Sequence, residues 1–341
     1  MTHTYLNNFD SSIDCSLKRR SFLATAASVA TAFKALPVLG ASEAFPSRAI
    51  RFVVPNPAGG LPDTVARIFA QHLGERLGQP ITVDNKPGAN GVIAAQALAN
   101  APKDGYTMMV ADGSMFSINP VIYKALGYDF KRDFEAVSLA ARAPLYLAVH
   151  PKVKATNLKE LIALIKSQPG VLTYGSSGVG STHHLSMEEF KTALSLDITH
   201  VPFKGSGQSV PALIGGQIDM VFSALPSLSG FVKTNQVRLI AVNSLKRSPQ
   251  EPSLPAISEF IPGYDFAPII GVFTAKGTPQ VAIDKIAIEM KQLAKLPELI
   301  QILTNAGIEP VGDGPIEYTK AVLAENERLG KVVKQIGISQ E

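Results

Sequence analysis

Short apolar runs alternate with amphipathic helices along most of this sequence, and the alternation starts over once in mid-chain. Ile50–Val54 is an apolar strand of the kind found where both faces of a sheet are covered. A helix follows from Leu61 to Leu77, with Val65, Phe69, Leu73 and Leu77 four residues apart on one face. Ile81–Val83 reads as a second strand, Gly91–Ala99 as a second helix and Tyr106–Ala111 as a third strand. This order implies a parallel, doubly wound sheet, because parallel neighbours need a crossover that a helix supplies.

The second copy of the scheme begins with a strand at Pro144–Val149, a helix at Leu158–Ser167 and a strand at Leu172–Tyr174. A helix over STHHLSMEEFKTAL puts Met187, Phe190 and Leu194 on one side, and strands follow at Ile198–Val201, Met220–Ser223 and Arg238–Val242. The proline-rich stretch Ser248–Pro268 reads as a long loop, Ile269–Thr274 as a late strand, and three helical segments fill Pro279 to Lys334. Two lobes joined by two crossings, near Ala143–Val149 and Asp265–Val272, fit this pattern. Residues 45–145 and 268–341 then form the first lobe and residues 146–267 the second. A ligand is expected between them, since open α/β sheets bind outside the carboxyl ends of their strands.

The 341 residues are 46% hydrophobic and 18% charged, a balance for folded lobes with real cores. The net charge of +4 is dispersed, without the basic stripe and stacking aromatics that nucleic acid requires. Residues 1–44 read as an export signal. Lys18, Arg19 and Arg20 precede a small-residue apolar run that ends in Ser42-x-Ala44. Arg19-Arg20-Ser21-Phe22-Leu23 is similar to a twin-arginine signal, although Lys18 and Ala24 depart from that pattern, and a Sec-type signal is the alternative. Lys34 and Pro37 interrupt the run, which argues against a membrane anchor. The one cysteine, Cys15, lies upstream of the run, so cleavage after Ala44 leaves a chain without thiols, bound for the periplasm.

Two Gly-rich turns carry the candidate chemistry, one in each lobe. PNPAGGLPD joins the first strand to the first helix. Pro57 and Pro62 stiffen it, Gly59 and Gly60 admit a close ligand, and Asp63 stands in the first turn of the helix. YGSSGVGSTHHL offers the hydroxyls of Ser176, Ser177 and Ser181 at a second helix start. Backbone amides at helix starts attract anions, and two such turns across a cleft suit a ligand with an anionic group at each end. Neither turn is a phosphate-binding P-loop or a dinucleotide fingerprint. The chain has no G-x-S-x-G elbow and no H-E-x-x-H, so nucleophilic catalysis lacks a visible nucleophile–base pair. His184 and Glu188 could share a helix face, but as a metal pair they want a third ligand, and His184 and His200 are read as structural. No metal or cofactor is expected. A secreted hydrolase or transferase using the same cleft is the alternative function.

PAGGLPD, VDNKPGANGVIAA, DGYTMMV, INPVIYK, YGSSGVGSTHHL, HVPFKGSG, GGQIDMVFSALPS and GVFTAKGTPQ occur in that order. On these motifs the chain resembles the substrate receptors of tripartite tricarboxylate transporters, the Bug receptors. The resemblance runs from Phe45 to near the C-terminus. It implies a type II periplasmic binding protein fold that closes on a small carboxylate, in which backbone amides and hydroxyls rather than an arginine hold the ligand. By position it implies Pro57, Ala58, Gly59, Gly60 and Asp63 from one lobe. From the other it implies Ser176, Gly180, Ser181, Thr182 and His184, with Ser114 and Asn119 lining the cleft as well. Ser223-Ala224 replaces an acidic or amide pair of many members, which tilts the ligand from amino acids toward plain carboxylates. Asn56 replaces a frequent aromatic. A monomer is expected, and the partners implied are the membrane subunits of such a transporter or a sensor protein.

Overall fold

The computed structural model describes residues 45–203 and 206–337, with only the backbone described at Ser206. The export signal expected over residues 1–44 lies outside the described residues. In chain order the first strands and helices are β1 (Ile50–Val54), α1 (Leu61–Leu77), β2 (Ile81–Asn85), α2 (Val92–Ala99) and β3 (Thr107–Asp112). There follow α3 (Ser114–Ile122), α4 (Phe130–Asp133), β4 (Phe134–Arg142), β5 (Leu145–Val149), α5 (Leu158–Ser167) and β6 (Thr173–Ser176). Next come α6 (Thr182–Leu194), β7 (Thr199–Pro202), α7 (Ser206–Ile214), β8 (Met220–Ala224), α8 (Leu225–Lys233) and β9 (Arg238–Val242). The chain finishes with β10 (Ile269–Ala275), α9 (Gln280–Leu293), α10 (Pro297–Asn305), β11 (Glu309–Asp313) and α11 (Pro315–Ile336).

These strands form two sheets, ordered β11-β4-β10-β3-β1-β2 and β7-β6-β8-β5-β9. The plan of the two is similar: a parallel trio with its first strand in the middle, then a strand that crosses from the other sheet, then β4 and β11 in the larger sheet and β9 alone in the smaller. The trios β2-β1-β3 and β7-β6-β8 are parallel, as the alternation of strands and helices requires. The crossing strands add antiparallel pairs to these parallel trios: β10 runs antiparallel to β3 and β4, and β5 antiparallel to β8 and β9. Each crossing strand arrives over a link from the other sheet rather than over a helix, so it enters from the opposite end.

Four elements are absent from the sequence reading: the single-turn helix α4 and three others that have physical reasons for going unread. Helix α3 contains Pro120 and buries six of its nine residues, so it shows no one-sided apolar stripe. Strand β4, FEAVSLAAR, is rich in helix-favouring alanine and buried on both faces. Strand β11 contains Pro310 and Gly312, which its edge position tolerates.

Helix α11 links the packing of the molecule. It lies along α3 and β4, and further on meets α6. Its Leu329, Val332 and Val333 join a core with Leu147, Phe190 and Phe222 around the five-stranded sheet. Close approach at the other end requires glycine: a Cβ on Gly271 of β10 would lie 2.4 Å from both the Ser138 carbonyl oxygen and the Tyr318 ring. Asn243, fully buried after β9, ties the two crossings together. Its Oδ1 accepts from the Leu145 amide at 2.8 Å, and its Nδ2 donates to the Phe266 carbonyl at 2.9 Å.

Replacing Asn243 by alanine strands a buried amide and a buried carbonyl at once. The loss of stability is expected to be about 2–4 kcal/mol, read as a lower urea midpoint; a change within about 0.5 kcal/mol would refute the role given to this side chain.

Candidate functional site

Four loops that follow strand ends meet in one cleft of about 720 Å³, joined by Leu145 and Pro268 of the two crossings. All four lead into helices. Leu61 opens α1, Gly91 precedes α2, Ser114 opens α3 and Thr182 opens α6, and all four residues line the cavity. The caps at the first three, Gly60, Gly91 and Gly113, contribute no side chain to the helix amides. Orphan amides at helix starts need an acceptor, so these ends leave the cleft electropositive without any cation. Among the described residues neither lysine nor arginine lines the cavity, and Asp112 is the one charged side chain that does.

The first Gly-rich turn is braced from behind. Asp63, 1% exposed, accepts from the Gly59 amide at 2.8 Å, Arg67 Nε at 2.9 Å and Asn85 Nδ2 at 2.8 Å. Burial opposes its ionisation, yet the bonds from Arg67, Gly59 and Asn85 outweigh that and hold the carboxyl below the usual carboxylate range. Asn85 also donates to the Asn56 carbonyl, fixing the entry of the turn. Pro57 and Gly60 therefore face the cavity, while Ala58, Gly59 and Asp63 are outside its lining.

The second turn is stitched internally in the same way. Ser181 Oγ donates to the Gly178 carbonyl at 2.7 Å and caps α6 by accepting from the His184 amide. Ser176 Oγ, fully buried, pairs with His200 Nε2 at 2.7 Å, and the Gly180 amide donates to His184 Nδ1 at 3.2 Å. The rings of Tyr174, His200 and His184 form one stack, with centroids 4.7 and 4.2 Å apart. Tyr174 bonds Glu188, which pairs with Lys191. Gly180, Ser181 and Thr182 reach the cavity, and Ser176 and His184 support them from beneath.

Serine–histidine pairs are thus present, where the sequence showed no such neighbours: Ser177 Oγ lies 2.8 Å from His183 Nδ1 at the cavity wall. Among the described residues neither His183 nor His200 is hydrogen-bonded to a carboxylate that would orient it as a base, and Ser176 has no exposure. Burial pushes the His183 ring down to about 4. Burial, with His184 alongside, does the same to His200.

Ser114 and Asn119 lie in the cleft together. Asn119 Nδ2 donates to the Asn90 carbonyl and to Tyr128 Oη, each at 2.9 Å. It anchors the one loop that sequence reasoning passed over, Pro87–Gly91, in which Gly88, Ala89, Asn90 and Gly91 all have positive φ. Such backbone is costly for Ala89 and Asn90, and strain of this kind gathers where a ligand is held. The paired glycines of KPGANG were the available signal. Ser177 was legible as one of the hydroxyls of the second turn, while Asp112, one residue past the strand expected over Tyr106–Ala111, went unread.

Two α/β lobes facing each other over a cleft of helix starts define a protein that captures a ligand. The chain belongs to the family described as the tripartite tricarboxylate transporter family receptor, which matches residues 65–338. BugT of Bordetella pertussis is 30% identical over 311 residues, 91% of this chain and 95% of that protein. The structure of R. palustris Rpa4515 with adipate is similar at a TM-score of 0.76 and 35% identity, covering 86% of this chain and 99% of the other. MatC (Rpa3494) from Rhodopseudomonas palustris with bound malate follows at 0.71 and 28%, covering 85% and 100%.

Two histidines of the second turn and its support make this site acid-sensitive. His183 and His200 are held below the value they take when unfolded, so the unfolded chain binds more protons and stability falls as pH drops from about 6.5 toward 4. The melting temperature is expected to fall over that interval, and to fall less in the His200→Asn variant. Equal acid sensitivity in the two proteins would overturn the assignment.

Proposed function

We propose that this protein is a periplasmic receptor that captures a small carboxylate between its two lobes and performs no chemistry on it. The observation that carries the reading is the set of three helix starts without side-chain caps, converging with the α6 start on a cavity that, among the described residues, contains no lysine or arginine. Backbone amides replace the water around an anion without a counter-charge, and they release the anion as readily. The cavity volume lies in the usual range for a small ligand. The adipate and malate bound by the two similar proteins support a dicarboxylate as the ligand here.

In this reading residues 45–145 with 268–341 act as one jaw and residues 146–267 as the other. Pro57, Gly60, Ser114, Asn119, Gly180, Ser181 and Thr182 face the ligand. Ala58, Gly59, Asp63, Ser176 and His184 hold the two turns in shape. Residues 1–44 direct export through a twin-arginine-like signal and are then removed. The loaded monomer docks on the membrane subunits of a tripartite tricarboxylate transporter, or on a sensor.

A thermal-shift screen of adipate, malate and citrate tests this. A ligand at 100 times its Kd adds about 2.7 kcal/mol to the folded state, and the spectrum of the ligand after incubation should be unchanged. No stabilisation by any carboxylate, or turnover of one, would sink the reading. Thr182→Asp places a carboxylate in the first turn of α6, where the helix tolerates it well. Folding is expected to persist while binding weakens roughly tenfold or more, since like charges placed together cost several kcal/mol.

A further inference from the structure

Asp112 is out of place in an anion-binding cleft. It closes β3 beside the start of α3, lines the cavity, and accepts from the Ser114 amide at 2.9 Å. Among the described residues no cation pairs with it. The charged and titratable groups around it offer no relief. From α11 come Glu325, 4% exposed with Oε2 unpartnered, and Tyr318, fully buried with its hydroxyl unpartnered; both interact electrostatically with Asp112. Glu325 is so close behind the floor that a Cβ on Gly113 would lie 2.8 Å from its Oε2.

Arg328 of α11 and Arg142 of β4 act on Glu325, but Arg142 pairs with Asp265 at 3.0 Å, and Asp265 itself opposes the charge on Glu325. From β10 the residue beside Asp112 is Ile270. From α6, across the cleft, comes His183, which burial keeps neutral. A carboxylate ligand would thus meet a second carboxylate with no cation among the described residues between them.

We propose that Asp112 is protonated when the cleft is filled, so that capture of an anion takes up one proton and Asp112 donates a hydrogen bond to the ligand. This rests on the carboxylate-receptor reading and deepens it: the cleft selects an anion with a bare acceptor oxygen at the Asp112 position. Burial pushes the empty-state Asp112 carboxyl up to about 6, and an anion beside it pushes it further. The proton comes from solvent and returns there on release.

The sign follows from linkage. The group is more basic in the loaded state, so affinity is highest where Asp112 is already protonated and is lost as pH rises through its loaded-state value. Calorimetric titration with adipate between about pH 6.5 and 8.5, where ordinary carboxylates stay ionised, is expected to show Kd rising roughly tenfold. Runs of the wild-type protein at about pH 7 in two buffers of different ionisation enthalpy should show proton uptake approaching one per adipate. Asp112→Asn is expected to remove the slope and to bind roughly tenfold tighter than wild type at the alkaline end. Glu325→Gln should keep the wild-type profile.

A flat wild-type profile without proton uptake overturns the proposal, as does a slope that survives in Asp112→Asn or vanishes in Glu325→Gln. Loss of binding in a folded Asp112→Asn overturns it too, because an ionised Asp112 would then be accepting a hydrogen bond from the ligand. If Asp112→Asn does not fold, the two-buffer measurement decides alone. If neither adipate, malate nor citrate binds at any pH, the carboxylate reading fails and takes this proposal with it.

Discussion

Three helices begin at the edge of one cleft with nothing but glycine before them, and a fourth begins opposite them. Apart from the Ser114 amide, which Asp112 accepts, no side-chain cap serves these three helix starts, and buried amides left without acceptors are costly. The fold around the cleft arranges this unanswered polarity and keeps the protein's own side chains from quenching it. Asp63 draws the Gly59 amide away from the cavity, Ser181 turns its hydroxyl onto Gly178, and Asn119 holds the Pro87–Gly91 loop by its backbone. A cavity made this way prefers an anion by geometry and dipoles, with no lysine or arginine among the described residues to trap it.

That division of labour decides how much was legible in the sequence. The strand–helix alternation was readable because its signals are local: apolar runs, helical spacing and glycine punctuation. Helix α1 spans the residues its periodicity predicts. The residues that went unread depend on burial from all sides, as in α3 and β4, or on an edge position, as in β11. At the site, glycine and serine marked the turns correctly, while the direction each polar side chain faces was invisible. Ser176 and His184 lie beside residues of the cavity wall, yet they are the underside of the second turn. Their orientation is set by His200 and Tyr174, which come from neighbouring strands. Asp112 and Glu325, far apart in the chain, come together only through the packing of α11 on β4 and α3.

Both crossings pass through one fully buried asparagine, and α11 contributes side chains to the core around the five-stranded sheet. The lobes are therefore coupled by this amide network, by the packing of α11 and α3, and by the bonds from Gln250 to the Thr304 carbonyl and from Ser248 to Glu309. Motion between them has to be accommodated at Ala143–Leu145, Asn243 and Phe266–Pro268, the points where backbone hydrogen bonds join the two links.

The position of β10 has a consequence for how the chain comes into being. This strand sits between β3 and β4, yet it is made more than a hundred residues after them. All five strands of the other sheet fall within Leu145–Val242. A chain emerging from its N-terminus can thus complete the second sheet while the first still lacks a central strand. The earliest residues to appear are among the last to be sealed, and until Ile269–Ala275 arrives, the inner edges of β3 and β4 stay open to wrong partners.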